Sequence, residues 1–445
     1  MKKAPFSAIL RRLWSHLRST YWFLPALVIA GCVALSYGML TADNYFPTEY
    51  ITHLGWVYTR DPSGARDLLS VISQSMITVA GVVFSITVVA LTMASNQFGT
   101  RVLKSFARDA GNQCALGTFL GTFLYGILVM RRVESARNFV PSLSVAVGIF
   151  LAAASVIVLV YFIHHVVAEI QAENVVSAVS DDLYQTMDSV FPESIRTKTL
   201  YARESLSPQE LALIGTIGQR VSNPKEGFVL DVDYDKLVHL AIKSRSVIRL
   251  HVLPGDFARE NCPLATFWPE NKPAVAKFPS SIRSCIPIGR QRSYDGDIGF
   301  GLQQLGLIAV RSLSPAINAL GAAMDSNDRL IASLIRLGGR EIPSPYHRDD
   351  SGKLRVISPA WDLERLIGNV LDPIRYAAAA NPTVVAQMMR GLFEAETRVR
   401  NCEVQKILRL HFERFAATAV VYPQEEDRRC IRELYDSLRR RRAAA

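Results

Sequence analysis

Four long stretches without a charged residue lie in the first 168 positions and constrain what this chain can fold into. They cover residues 19–42, 68–100, 110–130 and 138–168. A bilayer core of about 30 Å requires roughly 20 apolar residues in a helix, and each stretch reaches that length. Four such stretches in succession are not typical of a soluble core. The sequence therefore predicts four transmembrane helices.

The composition supports a hybrid of a membrane part and a soluble part. The chain has 445 residues, a net charge of +10 and a mean hydropathy of +0.16. Residues 1–167 contain 13 Lys and Arg against 6 Asp and Glu, whereas residues 168–445 contain 37 against 34. Because a DNA-binding domain concentrates positive charge on its soluble surface, this distribution argues against nucleic acid as a partner.

The basic residues also predict an orientation. Eight lie before the first stretch and between the second and third, and five lie in the other two loops. The positive-inside rule then places both termini in the cytoplasm, although the basic cluster at 131–137 opposes it. We expect a multi-pass membrane protein with the lipid bilayer as its first partner.

The second stretch is unusual because one helical face collects small and polar side chains. The predicted pore-lining candidates on this face are Gln74, Thr78, Gly81, Ser85, Thr92 and Asn96. Such a stripe is costly against lipid unless it faces protein or water. It therefore indicates either the wall of a water-filled path or close packing against another helix, and the residue types do not decide between the two.

Two further groups are predicted sites in the membrane part. Gly117 and Gly121 form a GxxxG pattern that favours close helix packing. His164 and His165 end the fourth stretch, with Glu169 four residues past His165. This group is interpreted as an interfacial anchor, with a pH-sensing pair as the alternative.

The remaining chain predicts a soluble α+β cytoplasmic domain with a small β-module and a helical C-terminal region. The expected divisions are 1–167 for the membrane part, 168–300 for the α+β region and 301–445 for the helical region. Expected helices include 207–220, one restarting at Ser314-Pro315, and a long one over 383–418. The Asp231–Asp235 segment is interpreted as a strand end and helix cap, and the basic end at 439–442 as a solvated tail or a lipid contact.

Motifs of catalysis, cofactor binding or metal binding are not found. The sequence contains no GxxxxGK[ST], HExxH or GxSxG pattern, and its six Cys are scattered without CxxC. We therefore predict no catalytic residues, no metal and no cofactor, while an enzyme activity stays open.

Four segments resemble a bacterial family of predicted membrane proteins with four membrane helices and a cytoplasmic domain. The segments cover 89–125, 139–166, 253–269, which includes LPGDF, and 306–325. The resemblance implies an inner-membrane location and supplies no catalytic residues. The chain has Asn261 where the family usually has Gly, and lacks the Asp and Pro that usually follow Asn318. Asn tolerates a left-handed backbone next best after Gly.

The PGDF segment is also similar to a turn of biotinyl- and lipoyl-type β-sandwiches. Lys236 precedes this turn, which is the wrong order for a carrier lysine, so a structural β-module is predicted.

Two functions remain as hypotheses. The first is an oligomeric pore or transport-related protein, with the second helix lining the path and the cytoplasmic domain regulating or assembling it. The alternative is a non-conducting membrane sensor or scaffold whose cytoplasmic domain binds an unknown ligand or protein. Both predict a homo-oligomer.

Overall fold

The chain divides into two compact units, residues 1–175 and 176–445. The computed structural model describes residues 22–45, 62–98, 109–133, 140–169, 172–191, 206–214, 218–269 and 277–444. The basic segments at 2–18 and 101–108, on which the predicted orientation depends, lie outside these ranges.

Among its described residues, the first unit contains four helices that are long and apolar enough to cross a membrane. They are α1 (Phe23–Tyr45), α2 (Pro62–Phe98), α3 (Ala110–Met130) and α4 (Ser142–Glu169). The central helix is α3, which contacts the other three. Helix α2 has 37 residues, which corresponds to about 55 Å at 1.5 Å per residue.

Successive helices of this unit alternate in direction. On α3, Gly117 lies against Pro25 and Gly121 against Cys32, so α1 and α3 are parallel. Gly126, further along α3, lies against Ser73 near the start of α2. The start of α4 is tied to the end of α1 by hydrogen bonds to Asp43. The starts of α1 and α3 therefore lie at the same end of the bundle as the ends of α2 and α4.

The second unit begins its sheet region after two helices, α5 (Ala172–Val190, most of which lies in this unit) and α6 (Pro208–Leu213). A five-stranded sheet has the order β1-β5-β3-β8-β7, in which β3 and β8 are parallel and the other pairs antiparallel. A three-stranded antiparallel sheet has the order β4-β2-β6. The strands are β1 (Gln219–Ser222), β2 (Gly227–Val229), β3 (Ser246–Leu250), β4 (Phe257–Ala258), β5 (Pro263–Pro269), β6 (Ile288–Gly289), β7 (Tyr346–Arg348) and β8 (Leu354–Ile357).

Helices cover the sheets and then form the C-terminal part of the chain. They are α7 (Tyr234–Lys243), α8 (Phe278–Arg283), α9 (Ile298–Ser312), α10 (Leu320–Gly338), α11 (Leu363–Ala378), α12 (Pro382–Arg398), α13 (Cys402–Ala417) and α14 (Glu425–Ala444). One buried cluster joins both sheets and includes Ile248, Phe267 and Ile282. The predicted fold class is confirmed: four candidate membrane helices precede a mostly helical domain with small mixed sheets and a helical C-terminal region.

Three predicted helices have different bounds in the structure. The helix expected over 207–220 ends at Leu213, and residues 219–222 form β1. The helix expected to restart at Ser314 begins at Leu320, because Ser314–Asn318 form a turn with Asn318 at a φ of 46°. The long helix over 383–418 is interrupted at Val399, whose ψ of 135° is extended, and Asn401 then caps α13.

Two local predictions are confirmed. Asp233 caps α7 through its side chain, which accepts from the Lys236 amide at 3.0 Å. Asn261, which replaces the usual Gly, has a φ of 60° in the turn before β5. Asn thus adopts the left-handed backbone conformation that Gly would adopt without strain, because its short polar side chain tolerates this region.

Candidate functional site

The predicted stripe on α2 lies on the surface of the protomer. Gln74, Thr78, Gly81, Ser85 and Thr92 are all exposed. The side chain of Asn96 lies outside the described residues. A methyl group built at Gly81 would meet nothing within 4 Å, so the described bundle leaves this position open. Packing among the described helices of one protomer therefore does not account for the stripe.

The opposite face of α2 attaches the helix to the bundle. Met76, Ala80, Val83 and Ala90 are buried there against residues of α3 and α4, including Phe119 and Phe162. At about 100° per residue, the centre of the stripe lies roughly 175° around the helix from this buried face. The stripe consequently points away from the other described helices.

The hydroxyl groups of the stripe bond to the backbone of their own helix. Thr78 donates to the Gln74 carbonyl at 2.8 Å, Ser85 to the Gly81 carbonyl at 2.9 Å, and Thr92 to the Val88 carbonyl at 2.8 Å. Each hydroxyl oxygen keeps lone pairs that can accept a further hydrogen bond. These three hydroxyl groups can thus contact water or another helix without being left as unpaired donors.

Apolar side chains border the stripe on both sides. Ile77, Phe84 and Val88 lie along one edge, and Val82 and Val89 along the other, and all five are exposed. A polar strip between two apolar borders differs from a face that is uniformly suited to lipid.

Gly117 and Gly121 lie where α3 approaches α1. A Cβ at Gly117 would come within 3.0 Å of the Cα of Pro25, and one at Gly121 within 2.7 Å of the Cys32 sulfur. The absence of a side chain at these two positions therefore sets the separation of the two helices.

The predicted interfacial group is only partly assembled. His165 Nε2 lies 2.8 Å from Asp109 Oδ2, and the imidazole stacks on Tyr161 with ring centroids 5.4 Å apart. Asp109 also accepts from the backbone amides of Gly111 and Asn112 and so caps α3. His164 is exposed and points elsewhere, while the Glu169 side chain lies outside the described residues. The partner of His165 is thus Asp109, which sequence spacing did not indicate.

Sequence reasoning missed a second carboxylate at the other end of the bundle. Asp43 accepts from the backbone amides of Leu143 and Ser144 at 2.9 and 3.0 Å and from the Ser144 hydroxyl at 2.6 Å. The Ser144 carbonyl in turn accepts from the Tyr125 hydroxyl at 2.9 Å. This network joins α1, α3 and α4. The signal was an Asp directly after an apolar stretch, without any indication of its partner.

The second unit contains two adjacent cavities of 590 and 450 Å³. Both are lined by Tyr234, Pro343, Ser344 and His347. The Tyr234 and His347 rings stack with centroids 4.4 Å apart, and burial lowers the pKa of His347 and raises that of Tyr234 to about 12. The stacked pair is therefore uncharged near neutral pH and forms an aromatic wall shared by the cavities.

The PGDF turn lies beside the smaller cavity. Gly255 has a φ of 91°, and a Cβ there would come within 2.3 Å of the Asp297 carboxylate. Asp297 caps α9 and accepts two hydrogen bonds from Arg292, at 2.7 and 2.8 Å. The PGDF motif thus forms a turn that packs against the N-terminus of α9. Pro254 of this motif and Asp295 both line the smaller cavity.

Comparison with known proteins identifies the family. The profile of the predicted membrane protein family DUF2254 matches residues 18–394. The chain belongs to this family. An uncharacterized protein of Mycobacterium bovis and one of Mycobacterium tuberculosis are each 31% identical to it over 389 residues, which cover 86% of this chain and 73% of each relative. No solved structure matches the chain.

The DUF2254 match includes the α2 stripe, the Gly117–Gly121 contact and both cavities, whereas α13 and α14 lie beyond it. Within the described parts of the chain, no group of three or more His, Cys, Asp or Glu is placed to hold a metal ion. The side chains of the α2 stripe offer hydroxyl and amide groups.

Proposed function

We propose that the protein forms an oligomeric pore of the bacterial inner membrane, with the polar face of α2 lining the path. The observation that carries the proposal is the exposure of Gln74, Thr78, Ser85 and Thr92 on the side of α2 that faces away from α3 and α4. Such a face is stable in a membrane when it meets water or another protein surface. Because the described helices of its own protomer do not cover it, neighbouring copies arranged around an axis would do so.

The borders of the stripe support this arrangement. Phe84 and Val88 on one side and Val82 and Val89 on the other supply apolar surface with which adjacent copies of α2 would pack. The polar strip between these contacts would then face the axis. Gly81 and Ser85 are the smallest residues of the stripe, so the path would be widest at their depth in the membrane.

In this proposal both termini are cytoplasmic. The end of the bundle that carries Asp109 and His165 would then face the cytoplasm, and the end that carries Asp43 would face the opposite side. The second unit would regulate or assemble the pore.

Flux through liposomes that contain the purified protein tests the proposal. Ser85→Trp should reduce flux at least about tenfold, because the indole would fill the opening that the small residues Gly81 and Ser85 leave. Ile86→Trp is the matched control, since Ile86 is exposed at the same depth but lies outside the strip. Absence of flux in the wild type, or equal effects of the two variants, would contradict a pore lined by α2.

A second candidate function is a non-conducting sensor. The two cavities that share the Tyr234–His347 wall favour it, because they provide space for a ligand in the second unit, and the sequence contains no catalytic motif. In this case a partner or ligand captured from bacterial membranes by the wild type should be lost with Asp295→Asn, but not with Asp436→Asn on the exposed side of α14. Measurable flux together with no capture would reject the sensor.

A further inference from the structure

A polar cleft in the C-terminal helices has features of a binding site that are independent of the proposed pore. The cleft has a volume of 520 Å³ and lies between α11 and α13. Residues that project toward it from α11 include Arg365, Asn369 and Asp372, and those from α13 are His411 and Arg414.

The decisive observation is that the imidazole of His411 is buried without a hydrogen-bond partner. Its side chain is 1% exposed, yet neither ring nitrogen has a hydrogen-bond partner. The nearest charged oxygen, Asp372 Oδ1, is 3.8 Å from Nδ1, which is too long for a hydrogen bond. A buried polar group without a partner costs free energy, so a group that enters the cleft and bonds to the imidazole would be stabilised.

His411 offers a neutral imidazole to such a group. Burial, together with the nearby Arg414 and Arg375 cations, lowers its pKa to about 4 despite the opposing effect of Asp372. At neutral pH the ring therefore has one donor and one acceptor nitrogen.

A second acceptor follows from the sequence of α11. Pro373 lies inside this helix and has no amide hydrogen. The carbonyl of Asn369, four residues earlier, consequently receives no hydrogen bond from residue 373, and both residues line the cleft. The carbonyl and the imidazole are both suited to accept from a ligand N–H group.

Charged groups of both signs complete the cleft. The Asp372 carboxylate receives only long contacts, at 3.3 Å from Arg375 and 3.4 Å from Arg414. Arg365 is exposed at the margin. Asp362 and Glu364 also line the cleft. The cleft thus combines carboxylates and neutral acceptors with guanidinium groups, which suit a ligand that carries one positive and one negative group.

We propose that this cleft binds a small zwitterion of the α-amino acid class. The ligand ammonium would bond to Asp372, the Asn369 carbonyl and His411, and its carboxylate would pair with Arg365 and Arg414. Because the cleft is open at its margin, the ligand side chain would point toward solvent, so the site would select for the two charged groups.

Gly368 provides a variant that blocks the cleft without straining the fold. A Cβ at this position would lie 3.8 Å from both His411 Nε2 and Asp372 Oδ2, an ordinary van der Waals distance. Ala is also preferred over Gly inside a helix. Gly368→Ala should therefore preserve stability while its methyl group covers both ligand-binding atoms.

Calorimetric titration of the full-length protein in detergent with L-alanine, ethylamine and propionate tests the proposal. L-Alanine should bind saturably, and the other two compounds, which each carry one of its charges, should bind at least about tenfold more weakly. Gly368→Ala should abolish the binding and Arg365→Gln should weaken it about tenfold, whereas Arg398→Gln on the exposed side of α12 should not change it.

The proposal is overturned if L-alanine gives no saturable binding to the wild type. It is also overturned if ethylamine binds as tightly as L-alanine, because the guanidinium groups would then have no role, or if Gly368→Ala binds like the wild type. Flux measurements do not enter this test, so failure of the pore proposal leaves its result interpretable.

Discussion

The Ser144 hydroxyl donates a 2.6 Å hydrogen bond to Asp43, from a position 101 residues later in the chain. The same carboxylate accepts from the Leu143 and Ser144 amides and so caps α4 from the end of α1. A helix N-terminus lacks intrahelical partners for its first amides, and a carboxylate there also interacts favourably with the helix dipole. One side chain thus joins two membrane helices at one end of the bundle.

Asp43→Ala should destabilise the first unit by about 1–2 kcal/mol, the usual cost of losing a helix cap. Thermal unfolding of the protein in detergent, followed by circular dichroism, measures the loss. Asp67→Ala is the control, because Asp67 is exposed on α2. Equal stability of the two variants would show that the Asp43 network contributes nothing.

Gly117 and Gly81 form a matched pair of glycines in different surroundings. Gly117→Ala should lower stability by about 1–3 kcal/mol, because its Cβ would lie 3.0 Å from Pro25 Cα and Val28 Cβ. Gly81→Ala should leave the protomer unchanged or stabilise it by up to about 1 kcal/mol, since nothing lies within 4 Å. Unfolding in detergent by increasing SDS fraction compares them. A larger loss at Gly81 would place it in a contact that the protomer does not contain.

The sequence was sufficient for those features that depend on local composition. The four apolar stretches predicted the four long helices, and the place of Asn261 in the family motif predicted its left-handed backbone. Asp43 and Ser144, or Asp109 and His165, could not be paired from sequence, because each contact joins helices far apart in the chain. Helical periodicity placed Ser85 and Thr78 on one face of α2 but contained no information about which face the bundle would bury.

The His411 cleft was missed for a related reason. Residues 383–418 have continuous helical periodicity, so the break at Val399–Asn401 was not predicted. This break lets α13 turn back and place His411 against α11. Asn401 was a capping signal, since its side chain accepts from the amides of Glu403 and Val404. The continuous helical periodicity of residues 383–418 nevertheless predicts one helix across Asn401.

Substitutions at Asn261 should show how much the stability of the left-handed turn before β5 depends on the residue at this position. Asn261→Ala should destabilise the second unit by about 1–2 kcal/mol, because a Cβ without a polar side chain is strained at a φ of 60°. Asn261→Gly should be close to neutral, since Gly adopts this conformation freely. Urea unfolding followed by tryptophan fluorescence distinguishes the two. Equal losses for Ala and Gly would mean that the Asn side chain, and not its backbone angle, is required.

The last helix is held by a buried ion pair that contradicts the solvated tail expected at its basic end. Glu396, whose side chain is 6% exposed, bonds to Arg442 and lies 3.3 Å from Arg409. The Arg442 guanidinium also lies 4.9 Å from the centre of the Phe412 ring. Arg439, Arg440 and Arg441 are exposed, so the solvated interpretation holds for them alone.

Arg442→Leu should therefore destabilise α14 by about 2–4 kcal/mol, because Glu396 would lose its main partner while buried. Arg441→Leu should change stability by less than about 0.5 kcal/mol, as expected of an exposed residue. Limited proteolysis after residue 424 reports the detachment of α14, and the Glu396→Leu, Arg442→Leu double variant should recover protection. If both single Arg variants were cleaved at the same rate, the ion pair would not hold the helix.

His411 should lower the free energy of unfolding as the pH falls from about 6.5 toward 4. Its pKa is about 4 in the folded protein, against an ordinary value of 6.5. Below pH 6.5 the unfolded chain binds a proton that the folded chain does not, so the folded state loses stability as the pH falls toward 4 and keeps it fully above 6.5. Between about pH 7.5 and pH 5 this effect amounts to about 2 kcal/mol.

His411→Leu removes the titration and leaves no unpaired nitrogen. Chemical unfolding at the two pH values should therefore give a smaller loss for this variant by about that amount. Asp372, Arg375 and Arg414 face the imidazole and are retained in both proteins, so an equal loss in variant and wild type would assign the pH dependence to groups other than His411.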